Sequence, residues 1–289
     1  MDRFGLFVLA RGGCAARAGF VATWMMYTDT IDGFVELAQK KSALLRQKPW
    51  AFFLGALAAG AYVGLGILLI LSVGAALPAS VQKLAMGATF AVALILVVIA
   101  GAELFTGYTM YMTLGRLAGK VSWGDLLATW TVSWFGNLAG ALLVAALFAV
   151  GGAGGLLADP ASLLYQVADV KMSSGVWALL ARAVLCNWLV CLALWMSARV
   201  RSDTAKCIVI FWCLLAFIAS GYEHSVANMT VLSLAAIGRE GQWATVVAAF
   251  YNLSVVTVGN VVGGAVMMAM LYWVADGRRL GSRADSMTP

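Results

Sequence analysis

The stretch "AGAELFTGYTM", residues 100–110, sets the fold of this chain. Apolar sequence runs up to it and resumes after it, yet it contains a glutamate, two threonines and two glycines. Polar atoms in apolar surroundings need internal partners, because hydrocarbon offers none and an unmade hydrogen bond there costs several kcal/mol. Two questions follow: what surrounds these residues, and whether the pattern occurs again.

The surroundings are written for lipid. Of 289 residues, 63% are hydrophobic and 11% charged, and the mean hydropathy is +0.91. That is too little polar surface to cover a soluble globule of this size. Apolar stretches of about 20 residues or more recur, the length a helix needs to cross a hydrocarbon core about 30 Å thick. No period-two alternation points to a membrane β-barrel. Candidate spans lie near 51–73, 84–114, 125–151, 175–199, 205–237 and 243–274, which makes six crossings. With both termini in the cytoplasm, the inside segments hold Lys40, Lys41, Arg46, Lys48, Arg116, Lys120, Arg199, Arg201, Lys206, Arg278, Arg279 and Arg283. The outside segments then hold Lys83, Lys171 and Arg239. This is the bias of cytoplasmic loops, and the reverse orientation violates it. The formal charge of +6 therefore reads as topology, not as a nucleic-acid surface.

The pattern does recur. "SGYEHSVAN", residues 220–228, interrupts the fifth span as "GAELFTGYT" interrupts the second, so both read as broken helices. Glu103 and Glu223 stand 120 residues apart, and "GNLAG" at 136–140 returns as "GNVVG" at 259–263, an offset of 123. Three crossings per copy require the second copy to insert upside down, so the expected fold is an all-α inverted repeat, with copies at about 50–150 and 175–275. Gly136, Gly140, Gly259 and Gly263 are read as close-packing sites between helices, beside which an asparagine can hydrogen-bond across.

The ends differ from this body. Residues 1–25 look like a leader or a mis-assigned start, with Met25 and Met26 as alternative starts and no cleavage pattern. "YTDTIDGFVELAQKKSALLRQKP" reads as an amphipathic surface helix ended by Pro49, and 276–289 as a polar cytoplasmic tail. Of five cysteines (Cys14, Cys186, Cys191, Cys207, Cys213), four lie in apolar stretches without CxxC pairing, so they read as packing residues.

Non-helical backbone at membrane depth is tolerated only where protein or a water-filled cavity satisfies it. Each break also starts a new helix, whose free amides favour an anion. His224, the one histidine in the chain, stands in the second break beside Glu223. Spacing alone leaves open a hydrogen-bonded core histidine, while an ionisable ring at membrane depth marks an ion pathway. One histidine does not make a bis-histidine haem site, no cysteine cluster supports zinc, and no phosphate loop is present, so no metal, cofactor or nucleotide drive is expected. Ser220 and Ser225 near His224 are a weak basis for an intramembrane hydrolase, and no enzymatic activity is expected.

"MGATFAVALILVVIAGAELFTGYTM", "LCNWLVCLALWMS" and "CLLAFIASGYEHSVANMT" resemble the formate/nitrite transporter family, over about residues 26–275. The resemblance implies an aquaporin-like six-helix protomer in a homopentamer of the bacterial inner membrane, each protomer with its own pore for nitrite or a similar small weak-acid anion. It makes Thr106 and His224 facing partners at mid-pore, Phe90, Leu94 and Phe217 apolar constrictions, and Lys171 the cation that favours anions. Glu103 and Asn187 hold the first break, and Gly107, Tyr108, Glu223 and Asn228 complete the support. Without it, Phe90, Leu94 and Phe217 read as core residues and Lys171 as a solvated outer-loop charge. Tyr108 is bulkier than expected and could narrow one end of the path. Bare charge crossing Phe and Leu rings is costly, so His224 is expected to hydrogen-bond the anion and share a proton with it. Formate or another small monocarboxylate is the alternative cargo. A neutral-solute channel of aquaporin type is disfavoured because neither break contains the NPA sequence.

Overall fold

The computed structural model describes residues 27–153 and 155–280, and within them every regular element is helical. The expectations for the leader, Cys14 and the last nine residues lie outside the described residues. Helix α1 (Thr28–Gln47) buries Ile31, Phe34, Val35, Ala38 and Ser42, a stripe at helical spacing that docks the helix on the body. Its other face is solvated, with Glu36 and Lys40 paired at 2.7 Å. Lys48 alone separates α1 from α2 (Pro49–Ala75). Pro49 has no N–H to lose at the first helical position, so it ends one helix and begins the next.

The remaining helices are α3 (Ala79–Ala100), α4 (Phe105–Leu117), α5 (Trp123–Val150), α6 (Gly155–Ala158), α7 (Leu163–Ser173), α8 (Val176–Arg199), α9 (Asp203–Ala219), α10 (Ser225–Gly238) and α11 (Trp243–Gly264). A π-helical turn (Ala265–Met270) joins α11 to α12 (Leu271–Ala275). Among the described residues, five helical stretches are long and apolar enough to cross a membrane: α2, α3, α5, α8 and Trp243–Ala275. Their outward faces stay apolar; Leu127, Leu142, Leu143 and Leu147 on α5 are all exposed, as a lipid-facing surface requires and a water-facing one does not.

The two GNxxG segments make corresponding helix contacts, one in each half of the chain. In the first, α5 presses on α2: a Cβ added at Gly140 would stand 2.0 Å from the Leu57 carbonyl oxygen, and one at Gly136 would stand 2.5 Å from Ala56 Cβ. In the second, α11 presses on α8: a Cβ at Gly263 would stand 2.5 Å from the Val184 carbonyl oxygen, and one at Gly259 would stand 2.5 Å from Ala183 Cβ. The motif GNxxG thus marks one contact made twice.

Helix α3 stops at Ala100, the backbone turns left-handed at Gly101 (φ 77°), and helix resumes at Phe105. In the other unit α9 stops at Ala219, Gly221 (φ 70°) makes the same turn, and helix resumes at Ser225. Ala102 N–H donates to the Val97 carbonyl and Tyr222 N–H to the Phe217 carbonyl, both at 3.0 Å. Only glycine adopts this conformation at little cost. Lys171 lies in the last turn of α7 with its side chain 14% exposed, so the alternative reading of a solvated outer-loop charge does not apply. The π-helical turn also had no sequence signal that we could read.

Candidate functional site

Each interruption leaves backbone groups without helical partners, and in each unit one fully buried asparagine takes them up. Asn137 accepts from Phe105 N–H (2.9 Å) and donates to the carbonyls of Ala56 (2.7 Å) and Glu103 (3.0 Å). Asn260 accepts from Ser225 N–H (2.8 Å) and donates to the carbonyls of Ala183 (2.9 Å) and Glu223 (3.0 Å). Glu103 N–H then reaches the Gly55 carbonyl (3.1 Å) and Glu223 N–H the Arg182 carbonyl (3.3 Å). An amide offers one acceptor and two donor hydrogens, and all three directions are used in both places. The asparagine of GNxxG is therefore the clip that holds each break open, and the glycines beside it allow the close approach.

The two glutamates are held by the same logic. Glu103 takes Lys41 Nζ at 2.6 and 2.8 Å and the Tyr108 hydroxyl. Glu223 takes Lys171 Nζ at 3.0 Å and Asn228 Nδ2 at 2.6 Å. Tyr108 and Asn228 each follow their glutamate by five residues. A buried carboxylate is costly unless paired and hydrogen-bonded, and here both conditions are met. Asn228 also donates to Asn252 Oδ1 (2.8 Å), and Asn252 to the Lys171 carbonyl (2.9 Å), which fixes the end of α7.

The breaks meet where Thr106 Oγ1 and His224 Nε2 stand 3.1 Å apart, both buried. His224 Nδ1 accepts the Ala227 backbone N–H at 3.1 Å, capping α10. A backbone N–H only donates, so Nδ1 carries no proton and the neutral ring carries it at Nε2, pointing at Thr106. Asn187 donates to the Thr106 carbonyl (3.2 Å), Thr109 Oγ1 (2.9 Å) and the Asn260 carbonyl (2.6 Å), tying the first break to the second unit. At Gly107 an added Cβ would lie 3.0 Å from Leu194 and from the Tyr111 hydroxyl.

Beside His224 lies an apolar chamber of about 10 Å³, lined by Phe90, Leu94, Leu104, Phe217, His224 and neighbouring aliphatic residues, room for a single water. Phe90 and Phe217 meet edge to face at 5.5 Å, and Phe217 stacks on His224 at 6.0 Å. Two wider cavities adjoin it. One, of about 290 Å³, contains Lys41, Glu103, Leu104, Tyr108 and Lys206; the other, of about 440 Å³, contains Lys171, Arg182, Phe217, Glu223, His224 and Asn228. Leu104 borders chamber and Lys41 mouth, while Phe217 and His224 border chamber and Lys171 mouth.

The family profile for the formate/nitrite transporter matches residues 28–274. The chain belongs to the formate/nitrite transporter family. Among members of the family, the nitrite transporter NirC of Escherichia coli K12 is 48% identical over 250 residues, 86% of this chain and 92% of that protein. A probable formate transporter of Methanothermobacter thermautotrophicus is 42% identical over 238 residues, covering 74% of this chain and 85% of that one. A solved structure described as an FNT family ion channel matches with a TM-score of 0.83 at 48% identity, covering 86% and 99% of the two chains. A pentameric formate channel with formate bound matches with a TM-score of 0.65 at 31% identity, covering 78% and 96%.

Phe90, Leu94, Phe217 and His224 line the chamber, Glu103 and Tyr108 the Lys41 mouth, and Lys171, Glu223 and Asn228 the Lys171 mouth; Thr106 and Asn187 lie in the hydrogen-bonded contact between the breaks, and Gly107 lies beside Leu194 and Tyr111. Sequence reasoning passed over Lys41, Leu104 and Arg182, and treated Asn137 and Asn260 as accessories of a glycine contact.

Proposed function

We propose that the chain passes nitrite across the cytoplasmic membrane through a pore within each protomer. The observation that carries this reading is the sequence of spaces from the Lys41 mouth past Leu104 into the chamber, and past Phe217 and His224 into the Lys171 mouth. Identity of 48% to a nitrite transporter, against 42% to a probable formate transporter and 31% to the formate-bound channel, favours nitrite over formate.

In this reading the chain crosses six times with both termini cytoplasmic: α3 with α4 forms the second crossing and α9 with α10 the fifth. The Lys41 mouth then opens inward and the Lys171 mouth outward, in agreement with the charge bias of the loops. Five copies assemble, by analogy with the pentameric formate channel, and no chemistry is performed on the cargo. An anion drawn into either mouth reaches a chamber with no charged donor, where a bare charge is poorly solvated. His224 meets it first as an Nε2–H donor, with the Thr106 hydroxyl as its companion. For the ring to surrender a proton, Nδ1 must first gain one, which breaks its bond to Ala227 N–H. The neutral acid crosses Phe90, Leu94 and Leu104 more cheaply than the anion does.

Stopped-flow uptake of nitrite, formate and a neutral solute into proteoliposomes, across a pH series, tests the proposal. Nitrite uptake above empty vesicles that rises as pH falls supports it, and His224→Phe flattens that dependence. Uptake of the neutral solute without either anion refutes it.

A further inference from the structure

The two mouths are not electrostatically equivalent. In the Lys41 mouth both cations are engaged, Lys41 with Glu103 and Lys206 with Asp203 at 2.8 Å. In the Lys171 mouth, Lys171 is held by Glu223, while Arg182 and Lys83 line the same cavity and make no side-chain hydrogen bond or ion pair among the described residues. Lys83 is exposed at the rim and Arg182 is half-buried.

Arg182 sits where the pseudo-symmetry of the two units fails. Its carbonyl receives Glu223 N–H, as the Gly55 carbonyl receives Glu103 N–H. At Gly55 an added Cβ would stand 2.8 Å from Glu103 Cγ, so the first unit has no room for a side chain there. The second unit has room for an arginine, one residue before the Ala183 carbonyl that Asn260 grips. A guanidinium presents N–H donors in a planar fork that matches two oxygens on one atom, which a lysine ammonium does not. It is therefore placed next to the second break with its charge uncommitted.

We propose that Arg182 is the capture residue of the Lys171 mouth, binding a planar anion with two adjacent oxygens, of the nitrite or carboxylate kind, before it reaches His224. The proposal rests on the transport reading and makes Lys171 the residue that neutralises Glu223, leaving Arg182 to hold the cargo.

The test uses the full chain in lipid nanodiscs and in proteoliposomes. Phenylglyoxal, which modifies arginine, is applied in sodium nitrite, sodium formate or sodium chloride at equal ionic strength, and each site is read by peptide mass spectrometry. Nitrite and formate should slow modification of Arg182 several-fold relative to chloride while leaving Arg239, which is paired with Asp169, unaffected; equal rates in all three salts overturn the proposal. In flux, Arg182→Gln should raise the half-saturating nitrite concentration roughly three- to tenfold, the scale of a charge-assisted contact in a partly wet site, and by more than it lowers the saturating flux. Arg182→Lys should recover part of that loss, and full recovery overturns the two-pronged contact. Protection without any anion flux by the unaltered protein removes the transport reading and leaves the capture site; flux without protection does the reverse.

Discussion

Replacing Asn137 by alanine should remove the frame of the first break. Three bonds disappear together: the one that satisfies Phe105 N–H and the two that satisfy the carbonyls of Ala56 and Glu103. Polar contacts between membrane helices average ~0.6 kcal/mol each, and a typical buried hydrogen bond contributes up to ~1.5 kcal/mol. Three of them place the loss at about 2–4 kcal/mol, with the Ala56 carbonyl the least affected because its own helix also uses it. Asn260→Ala should cost a similar amount, since it makes the same three kinds of bond. Unfolding free energies from detergent titration in bicelles measure the loss, and nitrite uptake should fall with it. A change below ~0.5 kcal/mol with unaltered uptake would refute the clip, because an orphaned buried N–H at Phe105 and an orphaned carbonyl at Glu103 cannot cost so little.

Gly140→Ala should prevent α5 from closing on α2, since its methyl would lie 2.0 Å from a backbone oxygen, and it should abolish the monodisperse oligomer in size-exclusion chromatography. Gly33→Ala, with nothing within 4 Å, should be tolerated and gain up to ~1 kcal/mol from helix propensity. Lys41→Met should leave Glu103 with Tyr108 as its only side-chain partner among the described residues and cost ~3 kcal/mol, the low end for a broken buried pair, because Lys41 keeps 25% of its side chain exposed. The double change with Glu103→Gln should cost less than Lys41→Met alone, and α1 should become more accessible to protease in both.

The breaks were legible because glycine and charge inside apolar sequence have few other uses, and "GAELFTGYT" and "SGYEHSVAN" are the segments where helix stops and restarts. The twofold relation was legible from GNxxG, although its glycines overshadowed Asn137 and Asn260: close packing has a composition signal, whereas a three-way amide bond depends on a partner helix that sequence does not show. Lys41 was hidden among the lysines and arginines of α1, since one turn of helix decides which of them faces Glu103. Leu104 is a leucine among leucines, and only its place at the start of α4 brings it between mouth and chamber. Arg182 lies inside an apolar span, and its weight depends on having no carboxylate partner among the described residues, which only the packed structure reveals.

If one narrow path through the protomer carries the anion past Leu104 and His224, then plugging that path must stop transport. Nitrite uptake by proteoliposomes containing Leu104→Trp is the decisive measurement, because the indole would fill the junction between the Lys41 mouth and a chamber of about 10 Å³. With oligomer size and helical content unchanged from the unaltered protein, uptake should fall to that of empty vesicles at every pH. Uptake equal to that of the unaltered protein would mean that the anion travels by another route.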